Sequence, residues 1–259
     1  MRVGIIGGTG WLGGALGRAL VDKGLAEVAV LNRSGPQDYG GRRVRWAQDL
    51  ADLVALSDVI VVSVRPGDWP GLGLRAEGRL VLSFMAGVGL DTLARSGGRI
   101  VRAMPNAAAE IGASYSPWVA GPEVTAMDRA AVALVLGAIG TGEELPEEGQ
   151  IELMTALSGS GPAYPALLAQ AMLGFLAARG VAPDVAARAV EATVCASARL
   201  LEGQIAAAPA LVKTFIDYRG TTCAGLEAAE AAGFTAAIHA ALAAATAKAA
   251  AMRDEAARS

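Results

Sequence analysis

Short apolar runs alternate with helix-like segments through the first part of the chain. The segment between the first two runs, residues 12–23, has apolar residues at helical spacing and is followed by Gly24. Strands that are apolar throughout and separated by helices are typical of a parallel sheet covered on both faces. The pattern therefore predicts a doubly wound α/β domain over residues 1–146. Its strands are expected at residues 2–6, 27–31, 44–46, 59–64, 80–84 and 99–101.

The pattern changes after Gly142. Residues 141–149 are rich in Glu and Gly and predict a polar hinge, and no run beyond them is strand-like. The segments that follow are rich in Ala and apolar on more than one face, which is typical of helices buried on several sides. Residues 147–259 therefore predict an all-α domain that packs with a second subunit, although helix propensity alone is another explanation of the alanines. Its helices are expected at residues 150–157, 163–179, 183–203, 208–215, 221–232 and 236–258.

The composition narrows the range of functions. With 1 His and 2 Cys the chain is too poor in ligands for a disulfide framework or a zinc site, so we expect no metal and a reducing compartment. A net charge of −3 offers no basic surface for nucleic acid. The longest uncharged run, residues 153–178, is broken by glycine and proline, and the chain opens on a strand instead of a leader. We therefore predict a cytoplasmic protein that binds neither nucleic acid nor a membrane.

A glycine-rich turn follows the first predicted strand and opens the first predicted helix. The spacing Gly8-x-Gly10-x-x-Gly13 permits a tight turn, a close approach of a pyrophosphate and close packing of helix on strand, with the phosphates at the positive end of the helix. This context predicts a Rossmann-like dinucleotide-binding domain. The residues assigned to the cofactor here are Gly7, Gly8, Thr9, Gly10, Trp11, Leu12 and Gly13.

The end of the second predicted strand indicates which dinucleotide is bound. Enzymes that prefer NAD usually have an acidic residue there, which accepts hydrogen bonds from the ribose. This chain has Asn32, Arg33 and Ser34, whose side chains can all donate to a 2′-phosphate. The pattern therefore predicts NADPH as the cofactor in preference to NADH.

Four further motifs lie, in this order, at residues 58–66, 101–106, 156–164 and 220–226. Together they resemble the pyrroline-5-carboxylate reductase family, and the resemblance covers nearly the whole chain. It implies an N-terminal Rossmann domain followed by a helical domain that intertwines with its partner. The expected assembly is therefore a homodimer or a larger assembly of dimers.

The resemblance also implies a reaction. In that family a hydride passes from the nicotinamide to the C=N carbon of a cyclic imine carboxylate, 1-pyrroline-5-carboxylate, and the product is L-proline. The imine nitrogen must be protonated or hydrogen-bonded, and the carboxylate must be held so that the carbon lies against the nicotinamide. Neither a His nor a metal is needed, which agrees with the composition.

The resemblance assigns the substrate site to the start of a helix. The backbone amides of Thr221 and Thr222 are expected to hold the carboxylate, and the Thr222 hydroxyl to lie near the imine nitrogen. Plain helix caps are the alternative for this pair, and Tyr218 is a second candidate proton donor. Other substrate-binding candidates are Gly220, Asp217, Arg219 and Ser160, and other cofactor-binding candidates are Val64, Arg65, Pro66, Met104 and Asn106.

The chain departs from the family pattern at the expected substrate loop. Before the Thr pair the family usually has Ser-Pro-Gly-Gly, whereas residues 217–220 of this chain are Asp-Tyr-Arg-Gly. Arg219 thus replaces a glycine, and it is expected to pair either with the substrate carboxylate or with Asp217. The other departures are Arg65 for Lys, Ala107 and Ala108 for Thr-Pro, Gln170 for Glu, and two residues instead of one between Gly7 and Gly10.

The longer glycine turn also occurs in other NADP-binding reductases, including those that act on a deazaflavin. These departures keep two alternatives open. One is an NADP-dependent reductase of the same fold that acts on a different imine or carbonyl substrate. The other is a dinucleotide-binding regulator without turnover.

Overall fold

Eight strands form one sheet in the computed structural model, which describes residues 1–258. The strands are β1 (Arg2–Ile6), β2 (Glu27–Leu31), β3 (Arg45–Trp46), β4 (Val59–Val62), β5 (Leu80–Ser83), β6 (Arg99–Ala103), β7 (Ser114–Ala120) and β8 (Gly140–Glu144). Their order is β3-β2-β1-β4-β5-β6-β7-β8. Strands β1 to β6 are parallel, β7 is antiparallel to β6, and β8 is parallel to β7. The predicted Rossmann-like, mostly parallel sheet is confirmed.

Helices cover both faces of this sheet. They are α1 (Trp11–Asp22), α2 (Leu50–Ala55), α3 (Trp69–Leu72), α4 (Leu90–Ala94), α5 (Ala126–Gly137) and α6 (Gln150–Met154). Helices α1 and α5 contribute to one hydrophobic cluster, and α2, α3 and α4 contribute to the other. On β1, Ile5 joins the cluster of Leu16, whereas the next residue, Ile6, joins the cluster of Leu53. Strand β4 is apolar at every position, and β1, β2 and β5 are apolar along most of their length, because successive side chains enter opposite, equally buried layers.

Two strands that the side-chain pattern does not predict extend the sheet. The prediction of a hinge over residues 141–149 was wrong for its first four residues, because they belong to Gly140–Glu144, which pairs along its whole length with β7. Strand β7 contains Pro117, and β8 is composed of Gly, Thr and Glu, residues that mostly disfavour strands. Backbone pairing therefore decides this edge, and exposed glutamates on β8 suit an edge strand because charge opposes further pairing.

The chain forms two compact units. Met1–Pro162, with the chain from Ala243 onward, is named here the sheet unit, and Ala163–Leu242 is named the helical unit. Within the described chain, α7 buries none of its residues, and Leu167 is 64% exposed.

The predicted all-α character of the C-terminal region is confirmed. Its helices are α7 (Ala163–Ala177), α8 (Pro183–Glu191), α9 (Ala208–Asp217), α10 (Thr221–Ala231) and α11 (Phe234–Arg258), with π-helical turns at Thr155–Gly159 and Ala192–Ala196 and 3-10 turns at Ser197–Leu201 and Ile205–Ala207.

One helix among the described residues, α11, is long and apolar enough to cross a membrane by length and composition alone. It is rich in alanine and carries Lys248, Arg253, Asp254 and Glu255 in its second half. A helix that packs against other subunits passes the same test of length and composition. The uncharged run at residues 153–178 does not form one long helix, since it is divided between the π-helical turn and α7.

Candidate functional site

A glycine-rich turn joins β1 to α1 and leaves the first N–H groups of the helix without a side-chain cap. Gly7 has a φ of +81°, and a Cβ there would lie 2.4 Å from the Ser63 carbonyl oxygen. A Cβ on Gly13 would lie 2.6 Å from the Gly7 carbonyl oxygen. Helix α1 begins after Gly10, with no side-chain cap and no acidic residue in its first turn. The two glycines therefore let the turn pack closely on β4 and on the start of α1. The backbone donors and the positive end of the helix fit a pyrophosphate.

The turn lies where the strand order of the sheet reverses. Strand β1 has β2 on one side and β4 on the other. The Gly7 N–H donates to the Leu31 carbonyl at the end of β2 (2.9 Å), and the Ser63 N–H after β4 donates to the Ile6 carbonyl (2.9 Å). Ligands of doubly wound sheets bind outside the carboxyl ends of the strands at such a reversal. The structure therefore brings the three predicted cofactor segments, which follow β1, β2 and β4, to one edge of the sheet.

The residues after β2 form a small hydrogen-bonded group. The Asn32 side-chain amide donates to the Ser34 hydroxyl (2.5 Å), and the Gln37 amide donates to the same oxygen (2.8 Å). The Arg33 side chain is 90% exposed, and its guanidinium lies 3.8 Å from the Asp68 carboxylate. Amide and guanidinium donors thus lie together after β2. The Asp68 carboxylate lies close enough to compete with a bound anion for the Arg33 guanidinium.

The remaining cofactor candidates of the turn and of β4 lie at the same edge. Trp11 is 67% exposed at the start of α1, so its ring is not part of the core of the chain. Thr9, Leu12 and Val64 are half-buried. Arg65 is exposed and precedes a 3-10 turn at Pro66–Asp68.

The segment after β6 is tied to the π-helical turn. The Asn106 side-chain amide donates to the Ser158 carbonyl (2.8 Å), and its oxygen accepts from the Ala108 N–H (2.9 Å). Met104 is buried against the same turn, where a Cβ on Gly159 would lie 3.1 Å from its Cγ. The Ser160 hydroxyl donates to the Thr155 carbonyl (3.1 Å). Asn106 therefore holds two predicted site segments of the sheet unit together, a contact that neither motif reveals by itself.

The predicted substrate loop joins α9 to α10 in the helical unit. Gly220 precedes α10 without a side-chain cap, and both Thr221 and Thr222 are exposed in the first turn. The prediction that this Thr pair opens a helix is confirmed. Tyr218 is 84% exposed. The first turn of α10 therefore has free N–H donors beside a hydroxyl, an arrangement that suits a carboxylate.

Arg219 has the backbone conformation of the glycine that it replaces. Its φ is +55°, and it is the single non-glycine residue with positive φ in the described part of the chain. The Asp217 carboxylate accepts from the Lys213 ammonium (2.7 Å), so Asp217 is paired within α9 and not with Arg219. The expected pairing of Arg219 with Asp217 is therefore not found in the structure.

An open cavity of about 490 Å³ lies beside this loop and is lined in part by Arg219, Cys223 and Glu227. Burial raises the pKa of the Cys223 thiol, and a hydrogen bond to the Glu227 carboxylate raises it further. A thiol with a raised pKa is a poor nucleophile. Among residues 1–258, no group of three or more His, Cys, Asp or Glu side chains is placed to hold a metal ion.

Tyr39 lies beneath the glycine-rich turn and was not predicted. It is 6% exposed, and its hydroxyl donates to the Gly8 carbonyl (2.9 Å). A Cβ on Gly17 would lie 2.0 Å from that hydroxyl oxygen. A glycine in the middle of α1 is the one sequence signal of this close approach, because glycine there otherwise weakens a helix.

Two family sequence profiles match the chain. The family described as pyrroline-5-carboxylate reductase dimerisation matches residues 148–252. The family described as NADP oxidoreductase coenzyme F420-dependent matches residues 2–87. The second match covers the glycine-rich turn and the segments after β2 and β4, and the first covers the predicted substrate loop.

Relatives named pyrroline-5-carboxylate reductase match nearly end to end. The relative from Thermus thermophilus is 33% identical over 90% of this chain and 93% of its own length. The relative from Synechocystis is 30% identical over 92% of this chain and 93% of its own length. The fold is also that of the Plasmodium falciparum pyrroline carboxylate reductase with NADP bound, with a TM-score of 0.86 and 21% identity over 98% of both chains. The chain therefore belongs to the pyrroline-5-carboxylate reductase family.

Proposed function

We propose that the protein catalyses the NADPH-dependent reduction of 1-pyrroline-5-carboxylate to L-proline. The observation that carries the proposal is the glycine-lined, uncapped start of α1 at the strand reversal, in a chain that matches these reductases over nearly its whole length. The activity named for the Thermus thermophilus and Synechocystis relatives is the same. The enzyme is accordingly an NADP-dependent oxidoreductase that acts on a C=N bond.

The sheet unit fits the cofactor. When bound, NADPH supplies the hydride that the imine carbon accepts. The uncapped amides at the start of α1 bind the pyrophosphate, and the glycines at positions 7, 8 and 13 allow the turn that carries them to pack closely on the neighbouring strands. Asn32, Arg33 and Ser34 bind the 2′-phosphate, since no acidic side chain follows β2 directly. The family profile described as an NADP oxidoreductase over residues 2–87 supports the same cofactor.

The helical unit supplies the substrate groups. The N–H groups of Thr221 and Thr222 bind the substrate carboxylate at the positive end of α10. The Thr222 hydroxyl donates a hydrogen bond to the imine nitrogen, which withdraws electrons from the carbon that receives the hydride. A proton must then reach the nitrogen to complete the secondary amine. Thr222 is the first candidate donor of this proton, and Tyr218 is the second. Gly220, Asp217 and Arg219, with Ser160 of the sheet unit, complete the proposed set of substrate-binding residues.

The residues after β4 and β6 complete the proposed cofactor site. Val64, Arg65 and Pro66 flank the dinucleotide at the end of β4. Met104 and Asn106 lie on the nicotinamide side, where Asn106 acts by holding the segment to Ser158. Trp11 shields the pyrophosphate from solvent, a role that its 67% exposure in the single chain permits.

The assembly that we propose is a homodimer, or a larger assembly of dimers, in the cytoplasm. Residues 1–146 bind the dinucleotide, and residues 147–259 mediate dimerisation and bind the substrate. Support comes from the dimerisation profile at residues 148–252 and from exposed apolar side chains such as Leu167. The two free cysteines agree with a reducing compartment.

The altered substrate loop favours a second candidate function, a reductase of the same fold for a different imine or carbonyl substrate. The observation behind it is Arg219, a cation with a positive φ at the position of a family glycine. A regulator that binds the dinucleotide without turnover is the third possibility.

One experiment separates the three functions. Purified protein is mixed with NADPH and 1-pyrroline-5-carboxylate, and the absorbance of the reduced nicotinamide is followed. Oxidation at an ordinary enzymatic rate is the expected result. Turnover only with another imine or carbonyl from a panel would favour the second function. NADPH binding without turnover on any panel member would favour the regulator.

A further inference from the structure

We propose that Tyr39 is a positioning residue for the cofactor, because it fixes the orientation of the Gly8–Thr9 peptide in the glycine-rich turn. The inference rests on the proposed function, since it concerns the same dinucleotide. Tyr39 lies in the connection between β2 and β3, far from the turn in sequence, and its hydroxyl donates to the Gly8 carbonyl (2.9 Å).

The orientation of one peptide decides where its N–H points. In a planar trans peptide the C=O of one residue and the N–H of the next point in opposite directions. The hydrogen bond from Tyr39 draws the Gly8 carbonyl towards the buried phenol, so it directs the Thr9 N–H away from the protein interior. An outward N–H at this point of the turn is a donor for the pyrophosphate.

The phenol is held in place from several directions. Its ring packs edge-on against Trp46, with centroids 6.2 Å apart and planes at 85°. Gly17 leaves room for it, since a Cβ there would lie 2.0 Å from the Tyr39 hydroxyl oxygen and 3.0 Å from Cζ. Close by, Arg42 forms two 2.7 Å hydrogen bonds to Asp22 of α1, which anchor the end of the same connection.

The Tyr39 hydroxyl remains a donor over the whole working range of pH. Burial raises the pKa of Tyr39 to about 12. The nearby cations Arg18 and Arg42 oppose that shift without reversing it. A neutral phenol whose oxygen faces a carbonyl can only donate to it, so the peptide orientation does not depend on pH.

The same connection also carries the residues proposed for the 2′-phosphate. Asn32 and Ser34 lie at its start. Gln37, which precedes Tyr39 by two residues, donates from its side-chain amide to Ser34. Tyr39 therefore joins the segment that faces the 2′-phosphate to the turn that faces the pyrophosphate. Its direct action is on the pyrophosphate turn, which NADPH and NADH both use.

The test compares variants by direct cofactor titration and by steady-state kinetics. Tyr39→Phe removes the hydroxyl and leaves the Gly8 carbonyl buried without its donor. The expected result is an increase of about 5- to 30-fold in the Kd for NADPH and an equal factor for NADH, with kcat at saturating cofactor within about twofold. Gly17→Ala, which displaces the ring, is expected to act in the same direction.

Tyr115→Phe is the matched control. It removes a phenolic hydroxyl that donates to Glu143 (2.7 Å) in another part of the sheet unit, so both Kd values should stay at their wild-type levels. Thermal unfolding of every variant sets a temperature at which all are folded, and binding is compared there. A merely structural role of Tyr39 would lower the unfolding temperature without changing the Kd.

Each other outcome has a definite meaning. If wild-type protein binds NADPH and Tyr39→Phe binds it equally well, the inference is overturned while the proposed function stands. A loss for NADPH alone would also overturn it, since that loss would lie at the 2′-phosphate. Failure of the wild-type protein to bind NADPH would overturn the proposed function together with the inference.

Discussion

The sheet unit and the helical unit bury their apolar side chains to different extents. In the sheet unit, Leu16 and Leu20 of α1 are fully buried against the strands within a single chain. In the helical unit, Leu167 and Phe175 of α7 are 64% and 56% exposed. Complete burial of such a side chain contributes about 1.5–3 kcal/mol. The sheet unit therefore has a core of its own, whereas the helical unit of the single chain leaves such side chains exposed, where the proposed dimer would bury them.

The two proposed site loops differ in a related way. The turn after β1 has glycine at its positive φ, Gly7, and its shape follows from the absence of side chains. The loop before α10 has Arg219 at a φ of +55°. A left-handed conformation costs an ordinary residue about 1–2 kcal/mol. The cofactor turn is thus unstrained, and the substrate loop keeps a strained residue at a place where strain often serves function.

The largest expected effect is on turnover and lies in the helical unit. Thr222→Ala should lower kcat by about a hundredfold or more, because the imine nitrogen would lose the hydrogen-bond donor proposed for it. The Kd for NADPH should stay within about twofold, since the proposed cofactor donors belong to the sheet unit. Thr222→Ser, which keeps the hydroxyl, should retain most of the activity. Wild-type turnover in Thr222→Ala would remove this residue from the mechanism.

A pair of leucine truncations tests the difference in burial. Leu16→Ala should lower the free energy of unfolding by about 2–5 kcal/mol at any protein concentration, because it leaves a cavity in the core of the sheet unit. Leu167→Ala should cost a similar amount only if a second subunit covers that side chain, and the unfolding temperature should then fall on dilution. Thermal unfolding at several concentrations, with sedimentation, measures both. A cost below about 0.5 kcal/mol for Leu167→Ala, with unchanged sedimentation, would contradict the proposed dimer surface.

A smaller effect is expected at the edge of the cofactor site. Arg33→Ala should weaken NADPH binding by about tenfold and leave NADH unchanged, since the proposed contact of the guanidinium is with the 2′-phosphate, which NADH lacks. Asp68→Asn is the counterpart, because it removes the carboxylate 3.8 Å from Arg33 and should strengthen NADPH binding slightly. Titration with both cofactors measures the ratio. An unchanged ratio in Arg33→Ala would count against the 2′-phosphate role.

The smallest effect is expected from the backbone of the substrate loop. Arg219→Gly and Arg219→Ala both remove the charge, but only glycine relieves the positive φ. Arg219→Gly should therefore be more stable than Arg219→Ala by about 1 kcal/mol in urea unfolding. If Arg219 selects the substrate, both variants should shift the ratio of kcat/KM between 1-pyrroline-5-carboxylate and other imines. Equal stability of the two variants would argue that the loop relaxes without cost.

The side-chain pattern predicted the parallel strands and the helical C-terminal region because burial on both faces produces continuous apolar runs. It did not predict β7 and β8, whose compositions are polar or contain proline. These strands exist because each has a backbone partner already in place. The same limit applies to Tyr39, since its role depends on a contact with Gly8 that is set by the packing of the connection on α1.

The sequence by itself determined the doubly wound sheet, the glycine turn, the missing acid after β2 and the start of α10 at Thr221. Each of these depends on residue type, periodicity and backbone sterics, which involve only near neighbours in the chain. Only the tertiary structure decided which distant groups meet. It pairs Asn106 with Ser158, and it places the Tyr39 phenol under the Gly8 carbonyl. Such choices depend on segments far apart in the chain, whose contacts are set by the packing of the whole sheet.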